Sequence, residues 1–157
     1  MNNSKLYILT FIITGLWDIV LRFLSEGYED LPNFMKYDFI KYLQPYFKKH
    51  TLLAAALIAG FIGATTQFII INIHKFPNHL SDFKTVMIFM GISFIVSALY
   101  GFIMKMSKLF PHMEDTYYKN LEMDGGVLKS MFHDGVSGII VQVSIYVLLL
   151  INKNIIK

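Results

Sequence analysis

Hydrophobic residues gather along the chain in four long stretches, about 6–24, 51–73, 85–104 and 131–151, each with few charges or none. At 1.5 Å per helical residue, a run of roughly 20 residues matches a hydrocarbon core about 30 Å thick. The stretches are too long for buried strands, and they lack the period-two alternation of a membrane barrel. The pattern therefore predicts an all-α, polytopic membrane protein: one domain over residues 1–157, built as a bundle of about four transmembrane helices. Within the bilayer a helix satisfies its own backbone polar groups, which an open strand cannot do. The first stretch lacks a small-residue cleavage site and leads into Arg22 and an acidic segment, so it reads as a retained helix rather than a signal peptide.

The connections are uneven. A short turn, His74–Lys84, joins the second and third stretches, whereas about 25–50 and 105–130 form longer links. In the first long link, Pro32 and Asn33 can open a helix over about 33–44, with Asn33 as its cap. Met35, Phe39, Tyr42, Leu43 and Tyr46 then share a face, so this segment reads as a short amphipathic helix at the membrane interface. Asp124-Gly125-Gly126 is a turn signal before the fourth stretch. Four spans place both termini on one side. Lys and Arg number five there and nine on the long-link side, which leans the long links toward the cytoplasm.

Small and polar residues inside the spans are ordered. Thr10, Thr14, Asp18 and Arg22 follow four-residue spacing and form one slowly drifting stripe. Ala56, Gly60 and Ala64 do the same in the second span, with Ala59, Gly63 and Gln67 beside them. Ser93, Ser97 and Gly101 mark the third span, and Asp134, Gly138 and Gln142 the fourth. Such stripes predict seams where neighbouring helices approach closely, with Ile, Leu, Val and Phe outside.

Chain direction brings the ionisable groups together. The first span ends on the side where the fourth begins, so Asp18, Arg22, His133 and Asp134 fall in one leaflet, with Tyr100 and Lys105 approaching the same side. A carboxylate near the centre of a membrane helix costs roughly 2.5–3.5 kcal/mol unless it pairs, meets water or takes a proton. Arg22 lies one turn from Asp18 and can pair with it. One reading is a structural staple, Asp18–Arg22–Asp134, joining the first and last spans. The other is a polar site for a proton, ion or polar solute, with Thr14, Gln67, Tyr100 and Gln142 as further lining.

Composition narrows the remaining choices. The chain has 157 residues, is 55% hydrophobic and 16% charged, and contains no cysteine, which removes disulfides and thiolate metal sites. A net charge of +3, spread over the links, gives nucleic-acid binding no support. The five histidines are scattered, with no paired-His metal motif, and P-loop, G-x-S-x-G and potassium-filter signatures are absent. No cofactor is implied. The expected partners are the lipid bilayer and, beyond it, other membrane subunits or further copies of the chain. The sequence points first to a structural or interaction subunit of a cellular or viral membrane assembly. A small oligomeric transporter or channel using Asp18, Arg22, His133 and Asp134 is the alternative, and an intramembrane acid–base enzyme using Asp18, His133 and Asp134 the third.

Overall fold

A computed structural model of the chain describes residues 2–26, 32–36, 52–77, 82–106 and 126–151. Four long helices account for nearly all of them: α1 (Asn3–Glu26), α2 (Leu52–Ile73), α3 (Phe83–Met106) and α4 (Val127–Ile151). Three helical stretches, Leu52–Ile73, Phe83–Ile103 and Val127–Ile151, are long and apolar enough to cross a membrane. The 24-residue α1 matches them in length but carries Asp18 and Arg22.

Local chemistry explains several helix ends. The Asn2 side-chain carbonyl accepts the Ser4 N–H at 3.1 Å, satisfying a donor that the first turn of α1 leaves open. Gly126 holds φ at +102°, a conformation open to glycine, and its carbonyl accepts the Ser130 N–H at the start of α4. The expected interfacial helix begins differently. Asn33–Met35 form a single 3-10 turn preceded by Pro32, with no side-chain cap, and the backbone leaves helical geometry at Lys36. The rest of that segment lies outside the described residues.

The helices run alternately up and down. On the α1–α2 face Tyr7 meets Phe68, Phe11 meets Gly60 and Gly15 meets Ala56. On the α3–α4 face Phe89 meets Tyr146, Phe94 meets Gly135 and Gly101 meets Asp134. In both series residue numbers rise on one helix as they fall on the other, the register of an antiparallel pair. Thinner contacts join α2 to α3 and α4 to α1, closing a ring in which α2 and α4 lie diagonally opposed.

Two apolar clusters fill the bundle from mid-depth to the end where α1 begins and α4 stops. Leu6, Ile13, Val141, Ile145 and Leu149 form one, and Ile70, Phe89, Val96 and Tyr146 the other, with Phe76 packed against both. Phe76 stacks on Tyr146 at 5.3 Å and meets Phe89 edge-on at 5.2 Å, a geometry favoured by the aromatic quadrupole. The outer surface carries exposed Ile8, Leu16, Leu53, Phe61, Phe68, Ile95 and Leu150. An apolar belt of this kind is costly in water and suited to lipid.

Candidate functional site

The interior changes character at mid-depth. There, between the helices, lies a partly open cavity of about 140 Å³. Thr10 and Thr14 line it from α1, and Ile62, Gly63, Thr66 and Gln67 from α2. From α3 come Ser97 and Gly101, and from α4 come Asp134, Ser137, Gly138, Val141 and Gln142. More of its wall is carbon than polar atom, so its hydrogen-bonding groups stand at discrete points on an otherwise apolar lining.

Glycines create the room. A Cβ at Gly101 would lie 2.5 Å from Asp134 Oδ2. At Gly63 a Cβ would collide with the Thr14 side chain, and at Gly138 with that of Ser97. Three polar side chains of the cavity thus each sit in a notch that a glycine leaves on the paired helix. Either member alone looks ordinary in the sequence, because the match depends on register between two helices.

Several hydroxyls at this level are satisfied locally. Thr10 donates to the Leu6 carbonyl at 2.8 Å and Thr66 to that of Ile62 at 2.7 Å, the back-bonding open to helical Ser and Thr. Thr14 differs, because its Oγ1 is buried and has no hydrogen-bond partner. Gln67 and Gln142 meet across the diagonal of the bundle, where the Gln142 amide donates to the Gln67 carbonyl oxygen. Both side chains are buried, at 0% and 2% exposure, yet Gln67 Nε2 and Gln142 Oε1 remain without partners. A buried amide left half-bonded costs about 1–3 kcal/mol, a cost that a water or a solute bonded to the remaining nitrogen and oxygen would offset.

Two further hydrogen bonds cross between the helix pairs. Trp17 Nε1 donates to Ser144 Oγ at 2.8 Å, while the Ser144 hydroxyl donates to the Ile140 carbonyl at 2.8 Å. Thr65 and Tyr100 hydroxyls lie 2.9 Å apart. The Thr65 proton has the Phe61 and Ile62 carbonyls at 3.0 Å, which leaves Tyr100 as the donor between them.

The expected site residues therefore separate. Thr14, Gln67, Asp134 and Gln142 come together on the cavity. Tyr100 binds Thr65 on the α2–α3 face and is not a lining residue. Asp18 is half-buried and also outside the lining. At about 100° per residue it stands some 40° beyond Thr14, turned toward the Phe11–Gly15 side that faces α2. His133 lies one residue from Asp134 but its ring is 6.3 Å from that of Phe132, and it too is outside the lining. The Arg22 side chain, and with it the proposed staple, lies outside the described residues. Sequence reasoning missed Thr66 and Ser137 as lining residues, and read Ser97 and Gly138 only as seam. Their common depth was the available signal. Among the described residues, no group of three or more His, Asp or Glu is placed to hold a metal ion. No known protein family, curated protein or solved structure matches the chain.

Proposed function

We propose that this chain is a small multi-pass membrane protein that admits a polar solute or ion into a cavity at the middle of its helix bundle, as a transporter or channel does. The observation that carries this reading is the pair Gln67 and Gln142, fully buried at mid-depth with one amide nitrogen and one carbonyl oxygen unpartnered beside an open cavity. Sites near the bilayer midplane, with polar groups converging from several helices, suit a solute taken from one side and released to the other. The apolar and aromatic packing of Phe76, Phe89 and Tyr146 supplies a barrier toward the end that holds both termini. In this arrangement α1 crosses the membrane with the other three helices.

A purely structural or interaction role rests on the small-residue stripes, the lack of a catalytic motif and the small number of ionisable groups. Those stripes are occupied within the chain itself, where α1 packs on α2 and α3 on α4. An acid–base enzyme would need Asp18, His133 and Asp134 on one reaction space, and only Asp134 lines the cavity.

The absence of cysteine makes a direct test clean. In membranes, Thr14→Cys and Ser137→Cys should react with a small, charged, water-soluble thiol reagent, whereas the lipid-facing Leu16→Cys should not. Equal protection at all three positions would show that polar solutes do not enter the bundle, and this reading would fall.

A further inference from the structure

We propose that the solute taken by this cavity is a small uncharged molecule carrying a hydrogen-bond acceptor and donor on one planar group: an amide or a urea. This deepens the cavity reading above and rests on it. The argument begins with the two glutamines. One N–H···O bond joins them, and it uses the Gln142 nitrogen and the Gln67 oxygen. What remains is one amide nitrogen, on Gln67, and one carbonyl oxygen, on Gln142, both buried and unpartnered. Exchanging oxygen and nitrogen on both side chains changes which residue offers which group, but still leaves one donor and one acceptor. A carboxamide or urea presents the complement, an oxygen to accept and an N–H to donate.

Charge and wall chemistry point the same way. A cation held at this point would face the unpartnered Gln67 N–H₂, a donor, where it needs oxygen ligands. An inorganic ion would also lose its hydration shell to walls that are mainly carbon, formed by Ile62, Val141, the threonine methyls and the glycine backbones. An anion fares no better, because Asp134 is on the lining and, among the described residues, no Lys, Arg or His is. An uncharged solute with one polar group and a little carbon avoids all three costs.

Size sets the upper limit. A cavity of about 140 Å³ is close to the roughly 150 Å³ that holds benzene in an engineered protein cavity, so it takes about six non-hydrogen atoms. Urea and acetamide fit within that limit. The Thr14 hydroxyl, also buried and unpartnered, offers a further hydrogen bond to the same guest. Most solute pockets share this plan of apolar walls with a few placed polar groups.

The test uses the full chain reconstituted in vesicles, with urea and acetamide as the probes and vesicle volume followed by light scattering. Both solutes should enter faster than into protein-free vesicles, and methylammonium and potassium should not. Gln67→Leu should lower the urea rate roughly ten-fold, the loss expected for one buried hydrogen bond left unmade. Thr14→Val, which keeps the shape and touches no bond that holds the helices together, should also slow urea while melting like the parent. It keeps the test decisive if Gln67→Leu fails to fold. Entry of methylammonium or potassium without urea would overturn the amide assignment and leave the cavity reading standing, as would passage of water alone. Urea entry unchanged by both substitutions would overturn the assignment as well. If no solute crosses and Thr14→Cys and Ser137→Cys are also protected from thiol reagent, the cavity reading fails together with it.

Discussion

The seams inside each helix pair and the junction between the pairs are built on different principles. Within a pair, a glycine on one helix takes in the backbone or a side chain of the other. A Cβ at Gly15 would lie 2.9 Å from the Ala56 carbonyl oxygen, and one at Gly60 would lie 2.8 Å from that of Phe11. Between the pairs the contacts are fewer, and side-chain hydrogen bonds span them: Trp17 to Ser144, Tyr100 to Thr65, and Gln142 to Gln67. Lipid gives helices no hydrophobic reason to associate, so close van der Waals approach has to hold a permanent seam together. Interhelical hydrogen bonds in membranes contribute less, on average about 0.6 kcal/mol each. The difference assigns α1–α2 and α3–α4 as two firm units and the polar plane between them as the weaker contact, which is where the cavity lies.

The sharpest way to break this comparison is to fill a seam. Gly60→Ala or Gly15→Ala drives a methyl onto a backbone oxygen that no rotamer change can move, so each should cost about 1–3 kcal/mol. The loss should appear as a lower melting temperature in detergent. Gly91→Ala is the control, since nothing lies within 4 Å of its added methyl. It should be neutral or stabilising by up to ~1 kcal/mol, because alanine favours a helix. Equal behaviour at Gly60 and Gly91 would remove the distinction between seam and surface.

Next in size is the diagonal pair. Gln142→Leu strands the Gln67 amide and should cost about 1–2 kcal/mol. Adding Gln67→Leu to it should recover most of that loss, because replacing both partners by apolar groups of similar shape is nearly neutral. A double substitution that is the sum of the two singles would mean that the glutamines are not coupled. Trp17→Phe removes one cross-pair donor while Ser144 keeps its bond to the Ile140 carbonyl, so a loss near 0.6 kcal/mol is expected in the same melting assay. Tyr100→Phe should be smallest, at most ~0.5 kcal/mol, since Thr65 retains backbone acceptors on its own helix. A larger effect for Tyr100→Phe than for Gly60→Ala would invert the order of strength between junction and seam.

Hydrophobic length carried the helices in the sequence, because membrane thickness leaves little freedom in how long an apolar helix must be. The four-residue spacing of small residues carried the faces. It placed Gly60, Gly63, Gly101 and Gly138 on contact surfaces, which is where they lie. Thr14, Gln67, Asp134 and Gln142 were legible as polar groups inside apolar helices, and they share the cavity. Asp18 follows the same four-residue spacing but stands off the cavity for a geometric reason. Four-residue spacing advances about 40° per step on a helix of 3.6 residues per turn, so two steps from Thr10 carry a side chain off the cavity and toward the neighbouring seam. Trp17–Ser144 and Tyr100–Thr65 were not legible, since each depends on the axial register of helices distant in sequence. The same holds for the notches, where a glycine acquires its meaning from the residue that fills it.

Trp17 is the sole tryptophan in the chain. Its indole nitrogen is tied to Ser144 across the α1–α4 junction, and its ring is part-buried against the cluster of Leu6, Ile13, Val141, Ile145 and Leu149. The protein therefore contains its own optical label at the contact that would loosen if the two firm pairs part. Separation of α1 from α4 would release that bond and wet the ring, shifting the indole emission to longer wavelength with no dye attached. Titrating a solute against the intrinsic fluorescence of the unmodified chain would then report in real time whether its arrival opens the bundle or closes it.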